Sequence, residues 1–120
     1  MNKITTFKDL VVWQKSHQLT LLVYKAVARF PRFEEFGLSS QMRRCSSSVP
    51  SNIAEGFKKN STKDSLHFYN IAECSLEELK YQLILARDLS YIDNNGYDTL
   101  DSLAEEVSKV LYGWIKSHKQ

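Results

Sequence analysis

Apolar residues along this chain recur at alternating steps of three and four, the period of one helical face. Val12, Ser16, Leu19, Val23, Ala26 and Phe30 form the first stripe; Asp9 is placed to cap its helix, and Pro31 to stop it. After the connector PRFEEFGL, Ser39 or Ser40 can cap a second helix, with Met42, Cys45, Val49, Ile53 and Phe57 inward. Ser61 with Asp64 resembles a capping box and opens the longest stripe: Tyr69, Ala72, Leu76, Leu79, Leu83 and Ala86. DNNG at 93–96 has turn chemistry, and Asp98 then begins a last helix with Leu100, Leu103, Val107, Val110 and Trp114 on one side. The pattern predicts helices at about 9–30, 39–58, 62–91 and 98–117, after an N-terminal segment 1–8. No stretch alternates with period two. The expectation is a single all-α domain over 1–120, an antiparallel up-down-up-down four-helix bundle.

One stretch conflicts with this regularity. CSSSVPSN puts serines and Pro50 inside the second helix, where proline costs about 3 kcal/mol and frees the carbonyl of Ser46. The expectation is one helix kinked at Pro50, with a neighbouring serine hydroxyl donating to a freed carbonyl. The alternative is two short helices, with Pro50 in the first turn of the second. Wheel positions gather Arg43, Ser47, Ser51, Ala54 and Lys58, with Arg44, on an outer side of little bulk that another backbone could approach.

The first helix also carries apolar residues opposite its core stripe: Trp13, Leu21, Tyr24 and Ala28. A monomeric bundle normally places charge there, so these residues predict a subunit interface and a homo-oligomer, unless a bent helix or the N-terminal segment covers them.

Charge sharpens the picture modestly. The net charge is only +2, yet residues 1–60 hold ten Lys/Arg against four Asp/Glu, and residues 61–120 hold six against ten. That asymmetry points to an anionic partner or to self-association through opposite charges. Two cysteines, Cys45 and Cys74, make neither a disulfide framework nor a zinc pair. With no signal-peptide pattern and no membrane span, reduced thiols in a cytoplasmic protein are expected.

Catalytic patterns are missing. No Glu has His three residues on, as a di-iron bundle requires, and His17, His67 and His118 are too scattered for zinc. Nothing brings a histidine and a carboxylate to the serine run, and the four glycines form no phosphate loop. No metal, no cofactor and no enzymatic activity are expected. Around Pro50, Asn52 can bond a loosened carbonyl, Glu55 can pair with Lys59 or with an arginine of another helix or subunit, and Gly56 permits close helix approach.

Three blocks carry a family resemblance. Leu38, Gln41, Arg43 and Arg44 form a Leu-x-x-Gln-x-Arg-Arg run; Ser48, Val49, Pro50, Asn52, Ile53, Ala54, Glu55 and Gly56 follow; Ser75, Leu76, Glu78 and Leu79 close the set. Together with Asp9, Leu10, Trp13 and His17 in the opening helix, they resemble the proteins related to the 23S rRNA-intervening-sequence proteins, over about residues 7–92. Cys45 stands where an alanine would be typical. The resemblance implies a four-helix bundle assembling into rings, often pentamers. It also connects the chain to the accessory proteins of diversity-generating retroelements, which bind nucleic acid and a reverse transcriptase through a basic surface.

Two functions follow as expectations. The first is sequence-independent binding of RNA or DNA through Arg43, Arg44, Lys58 and Lys59, joined by Lys15, Lys25, Arg29 and Arg32. The second is a protein-interaction scaffold docking a partner such as a polymerase, its arginines used in intersubunit pairs. Gln41, Pro50, Asn52, Glu55 and Gly56 are assigned to structure and assembly.

Overall fold

The computed structural model describes residues 3–119 and consists of four α-helices, with no strand among the described residues. They are α1 Val11–Val27, α2 Leu38–Lys58, α3 Thr62–Asp88 and α4 Asn94–His118. Each helix packs against its neighbours in the cyclic order α1, α2, α3, α4, and the diagonal pairs make no close backbone approach. That is the up-down-up-down bundle, 43 Å long. The 27 residues of α3 account for nearly all of that length, at a rise of about 1.5 Å each.

The α3 stripe is wholly inside: Tyr69, Ala72, Leu76, Leu79, Leu83 and Ala86 all lie at 0–1% exposure. Met42, Val49 and Ile53 of α2 meet it, and each such buried aliphatic side chain contributes on the order of 2 kcal/mol. In α1, Val27 takes the core place expected of Ala26, which is only partly buried. The stripe of α4 is turned from the expected one. Leu100, Ala104, Val107, Leu111 and Ile115 are buried, while Leu103, Val110 and Trp114 sit at the core's edge. Large residues at the margin had masked Ala104, a small residue at the centre.

Helix ends differ from the expected ones for local reasons. Asp9 does not cap α1; it ends a short 3-10 turn, Phe7–Asp9, where its carboxylate accepts from the Thr5 and Thr6 amides at 2.9 and 3.0 Å. Those bonds hold the carboxyl below the ordinary aspartate range. Neither Ser39 nor Ser40 caps α2. Glu34, in a 3-10 turn Arg32–Glu34, reaches the Leu38 amide at 3.0 Å instead. Ser61 does cap α3, accepting from the Asp64 amide at 3.1 Å. DNNG is the start of a helix and not a free turn: Asp93 accepts from the Gly96 amide at 2.7 Å, so α4 begins at Asn94 instead of Asp98. At the end of α3, Ser90 adopts φ 64°, and the Ser90 and Tyr91 amides return to the Arg87 and Ala86 carbonyls.

Residues on both sides of Pro50 stay helical in one element, so the two-helix alternative does not hold, and the helix runs through Pro50 without the interruption that a kink was expected to bring. The carbonyl that Pro50 cannot serve is satisfied from another helix. Thr20 Oγ1 of α1 donates to the Ser46 carbonyl at 2.9 Å, within reach also of the Ser16 carbonyl at 3.0 Å. The expected donor was a neighbouring serine, but the hydroxyls of Ser46 and Ser47 bond the Arg43 and Arg44 carbonyls, each at 3.2 Å. Pro50 and Ser46 are buried and Ser46 is bonded to α1, so the serine-proline stretch is an inter-helix contact on one side.

Candidate nucleic-acid interface

Some of the residues that carry the family resemblance meet at the α2–α3 seam. Gln41, Arg44, Cys45 and Ser48 of α2 face Ser75 and Glu78 of α3 around a shallow depression of about 230 Å³. Cys45 Sγ donates to the Ser75 carbonyl at 3.0 Å, and the Ser48 and Ser75 hydroxyls lie 2.9 Å apart. Asn52 closes the network, its amide nitrogen 2.8 Å from the Ser48 carbonyl and 2.9 Å from the Ser48 hydroxyl. The carbonyl it holds is that of Ser48, not the Ser46 carbonyl freed by Pro50. Burial, reinforced by the nearby Glu78 carboxylate, pushes the Cys45 thiol up to about 12, so it stays protonated and packs as a small core residue.

Lower on the same seam, Gly56 is buried because Tyr69 occupies the space beside it. A Cβ there would come within 2.8 Å of Tyr69 Cδ1, and the Gly56 carbonyl accepts from Ser65 Oγ at 2.8 Å. Glu55 is exposed and forms no ion pair among the described residues. Its expected partner Lys59 lies over the Phe68 ring instead, 4.8 Å from the centroid. Glu77 pairs with Lys80 as part of a solvated face, Lys80 bridging Glu77 and Glu105 at 3.2 and 2.9 Å.

The eight cations expected to form one surface do not. Arg43 and Lys58 are fifteen residues apart on α2, about 22 Å along its axis. Lys58 and Lys59 therefore belong to the end carrying the α2–α3 connector. Lys25, Arg29, Arg32 and Arg43 gather at the other end, where α1 passes into α2. Lys15 sits between, paired with Glu106 of α4. Arg43 is half-buried and engaged by Glu35, with 3.7 Å to its carboxylate and 3.3 Å to its carbonyl. Arg44 is exposed and donates to Ser40 Oγ at 2.7 Å. Lys25, Arg29 and Arg32 are exposed and make no ion pair among the described residues.

The apolar flank of α1 is likewise divided. Trp13 is covered, edge-on to Phe7 at 5.0 Å and stacked on His17 at 5.1 Å. Leu21 and Tyr24 remain 53% and 46% exposed, and Ala28 is exposed beside them. The sequence reading missed Thr20, Glu34 and Tyr91, which act across elements, and the exposed rings of Phe33 and Phe36 in the first connector. The basic-aromatic spelling RFPRFEEF was the available signal for the last two.

Fold and site together define a small all-α bundle with a tight polar α2–α3 seam and a cationic end. The chain belongs to the 23S rRNA-intervening sequence protein family, whose model matches residues 8–113. It is similar to a crystal structure of a protein of unknown function from the S23 ribosomal protein family of Bacteroides thetaiotaomicron VPI-5482. That similarity has 29% identity and a TM-score of 0.80, and covers 88% of this chain and 99% of the other. No curated protein matches the sequence. No helix among the described residues is long and apolar enough to cross a membrane, and no cluster of potential metal ligands occurs among them.

Proposed function

We propose that this chain is a non-catalytic, oligomeric bundle of the cytoplasm that binds RNA, or another nucleic acid, through phosphate contacts without reading sequence. The observation that carries this reading is the cluster of Lys25, Arg29 and Arg32, exposed and unpaired among the described residues at one end of the bundle. Three cations per subunit give weak binding alone. A ring such as a pentamer would repeat them around an axis and raise avidity without new contacts. Leu21 and Tyr24 supply the exposed apolar surface for such an assembly.

Titration of the protein against labelled structured RNA and duplex DNA, by anisotropy at low and near-physiological salt, tests the proposal. Binding should weaken steeply with salt, and Lys25→Ala/Arg29→Ala/Arg32→Ala should lower the salt slope by about 2 to 3 per engaged subunit. No binding at low salt would overturn it. The alternative, a scaffold that docks a protein such as a polymerase, draws support from Arg43, which is committed to Glu35 instead of solvent.

A further inference from the structure

We propose that the α1–α2 connector is a stacking platform for single-stranded nucleic acid, with bases on Phe33 and Phe36 and phosphates on Arg29, Arg32 and Lys25. The proposal rests on the nucleic-acid reading above and adds which form of nucleic acid this end accepts. Phe36 is 94% exposed and Phe33 78%, the two most exposed large apolar side chains of the described residues. Two phenyl rings left in water forgo burial, and a surface that displays them offers a partner an apolar contact.

The backbone beneath the rings is held. Pro31 starts the 3-10 turn, Glu34 Oε1 takes the Leu38 amide at 3.0 Å, and Glu34 Oε2 takes the Tyr91 hydroxyl at 2.8 Å. Phe33 stands edge-on to Tyr91 at 6.4 Å, which leaves much of its ring open to water. A backbone held in advance leaves only side-chain freedom to be lost on binding.

Charge decides the partner. Of the connector's two carboxylates, Glu34 is occupied by the bonds just given, and Glu35, 60% exposed, is offset by Arg43 at 3.7 Å. Arg29 and Arg32 flank the rings without such partners among the described residues. A groove of about 620 Å³ continues from this point, lined by Lys25, Arg29 and Tyr91. Its one carboxylate, Asp93, is engaged by the Gly96 amide at 2.7 Å. Aromatic faces alternating with cations fit a strand whose bases are unstacked and whose phosphates run alongside. A duplex keeps its base faces inside and offers the rings nothing.

The test compares an unstructured labelled RNA of about 12 nucleotides with a duplex of equal length, by anisotropy, for the wild type and Phe33→Ala/Phe36→Ala. The double variant should bind the single strand roughly 10- to 100-fold more weakly, while duplex affinity and the salt slope stay unchanged. Phe33→Leu/Phe36→Leu should lose nearly as much, since it keeps apolar bulk but no ring face; Phe36→Trp should retain binding. Equal single-strand affinity in wild type and Ala variant would overturn the platform while leaving the nucleic-acid reading intact. A wild type that binds neither strand nor duplex would overturn both. Loss of the oligomer in the Ala variant, measured by light scattering, would overturn the platform by assigning the rings to a subunit contact.

Discussion

Thr20 Oγ1 on α1 donates to the carbonyl of Ser46 on α2 at 2.9 Å, the carbonyl that Pro50, four residues on, has no amide to serve. A helix-breaking residue thereby becomes a point of attachment between two helices. Without that hydroxyl a buried acceptor would be left unmade, which costs more than the bond itself contributes.

Thr20→Val should therefore destabilise the bundle by about 1–3 kcal/mol, although valine fills the same space. In a Pro50→Ala background the restored amide can serve Ser46, and the same substitution should cost clearly less. Urea unfolding followed by circular dichroism across the four-member cycle measures this. Equal costs in both backgrounds would show that Thr20 acts through packing alone.

Gly56 offers a second test, one of sign. In an ordinary exposed helix Gly→Ala stabilises by up to about 1 kcal/mol. At Gly56 the added methyl meets the ring of Tyr69, itself 1% exposed, and the Ser65 carbonyl at 3.1 Å. Gly56→Ala should instead cost about 1–3 kcal/mol, read as a lower urea midpoint at unchanged slope.

How much of this was legible in the residues depends on the range of the interaction. The α3 stripe was fully readable because period and burial coincide at every position from Tyr69 to Ala86. The α2–α3 seam was half-readable: the Ser48, Asn52 and Ser75 pattern stood out, but not that these residues bond one another. The caps of α1, α2 and α4 were misread for two reasons: 3-10 turns precede α1 and α2, and at α4 the spelling DNNG serves a helix N-cap as well as it serves a turn. Thr20–Ser46 spans 26 residues and depends on the docking of α1 against α2, which no local pattern encodes.

Glu34 makes acid sensitivity local. Its bonds from the Leu38 amide and, second, the Tyr91 hydroxyl hold its carboxyl below the ordinary 4.5. The unfolded chain thus binds the proton more readily than the folded one. The stability this supplies is present above about 4.5 and is lost as pH falls through the lowered folded value. Glu34→Gln should reduce the melting temperature at neutral pH, and the difference from the wild type should shrink on acidification through that range. A difference constant with pH would rule out this linkage.

The two thiols should behave oppositely. Cys74 is exposed, whereas Cys45 is buried and bonded to the Ser75 carbonyl. Iodoacetamide at neutral pH should label Cys74 readily and Cys45 only after unfolding. Cys45 also sets an alkaline limit. Its thiol is raised from 9.0 to about 12, so its contribution is complete below 9.0 and disappears as pH climbs toward the folded value. Cys45→Ala should remove that part of the alkaline loss, and fast labelling of both thiols in the folded protein would refute the assignment.

Assembly is the last point open to direct measurement. Trp13 is half-buried against Phe7 and His17, so the interface expected on α1 would rest on Leu21 and Tyr24, three residues apart and about half exposed. Placing two carboxylates there is tolerable to a solvated monomer and costly to a buried contact. Leu21→Glu/Tyr24→Glu should therefore leave helical content unchanged and shift the molar mass by light scattering toward the monomer. If binding to RNA rests on avidity, the same variant should lose affinity about 10-fold or more with every cation still in place. An oligomeric wild type with an unchanged variant mass would free this face from assembly and point to another, such as that bearing Tyr81 and Ile84 of α3, 59% and 39% exposed; a monomeric wild type would overturn the oligomeric reading.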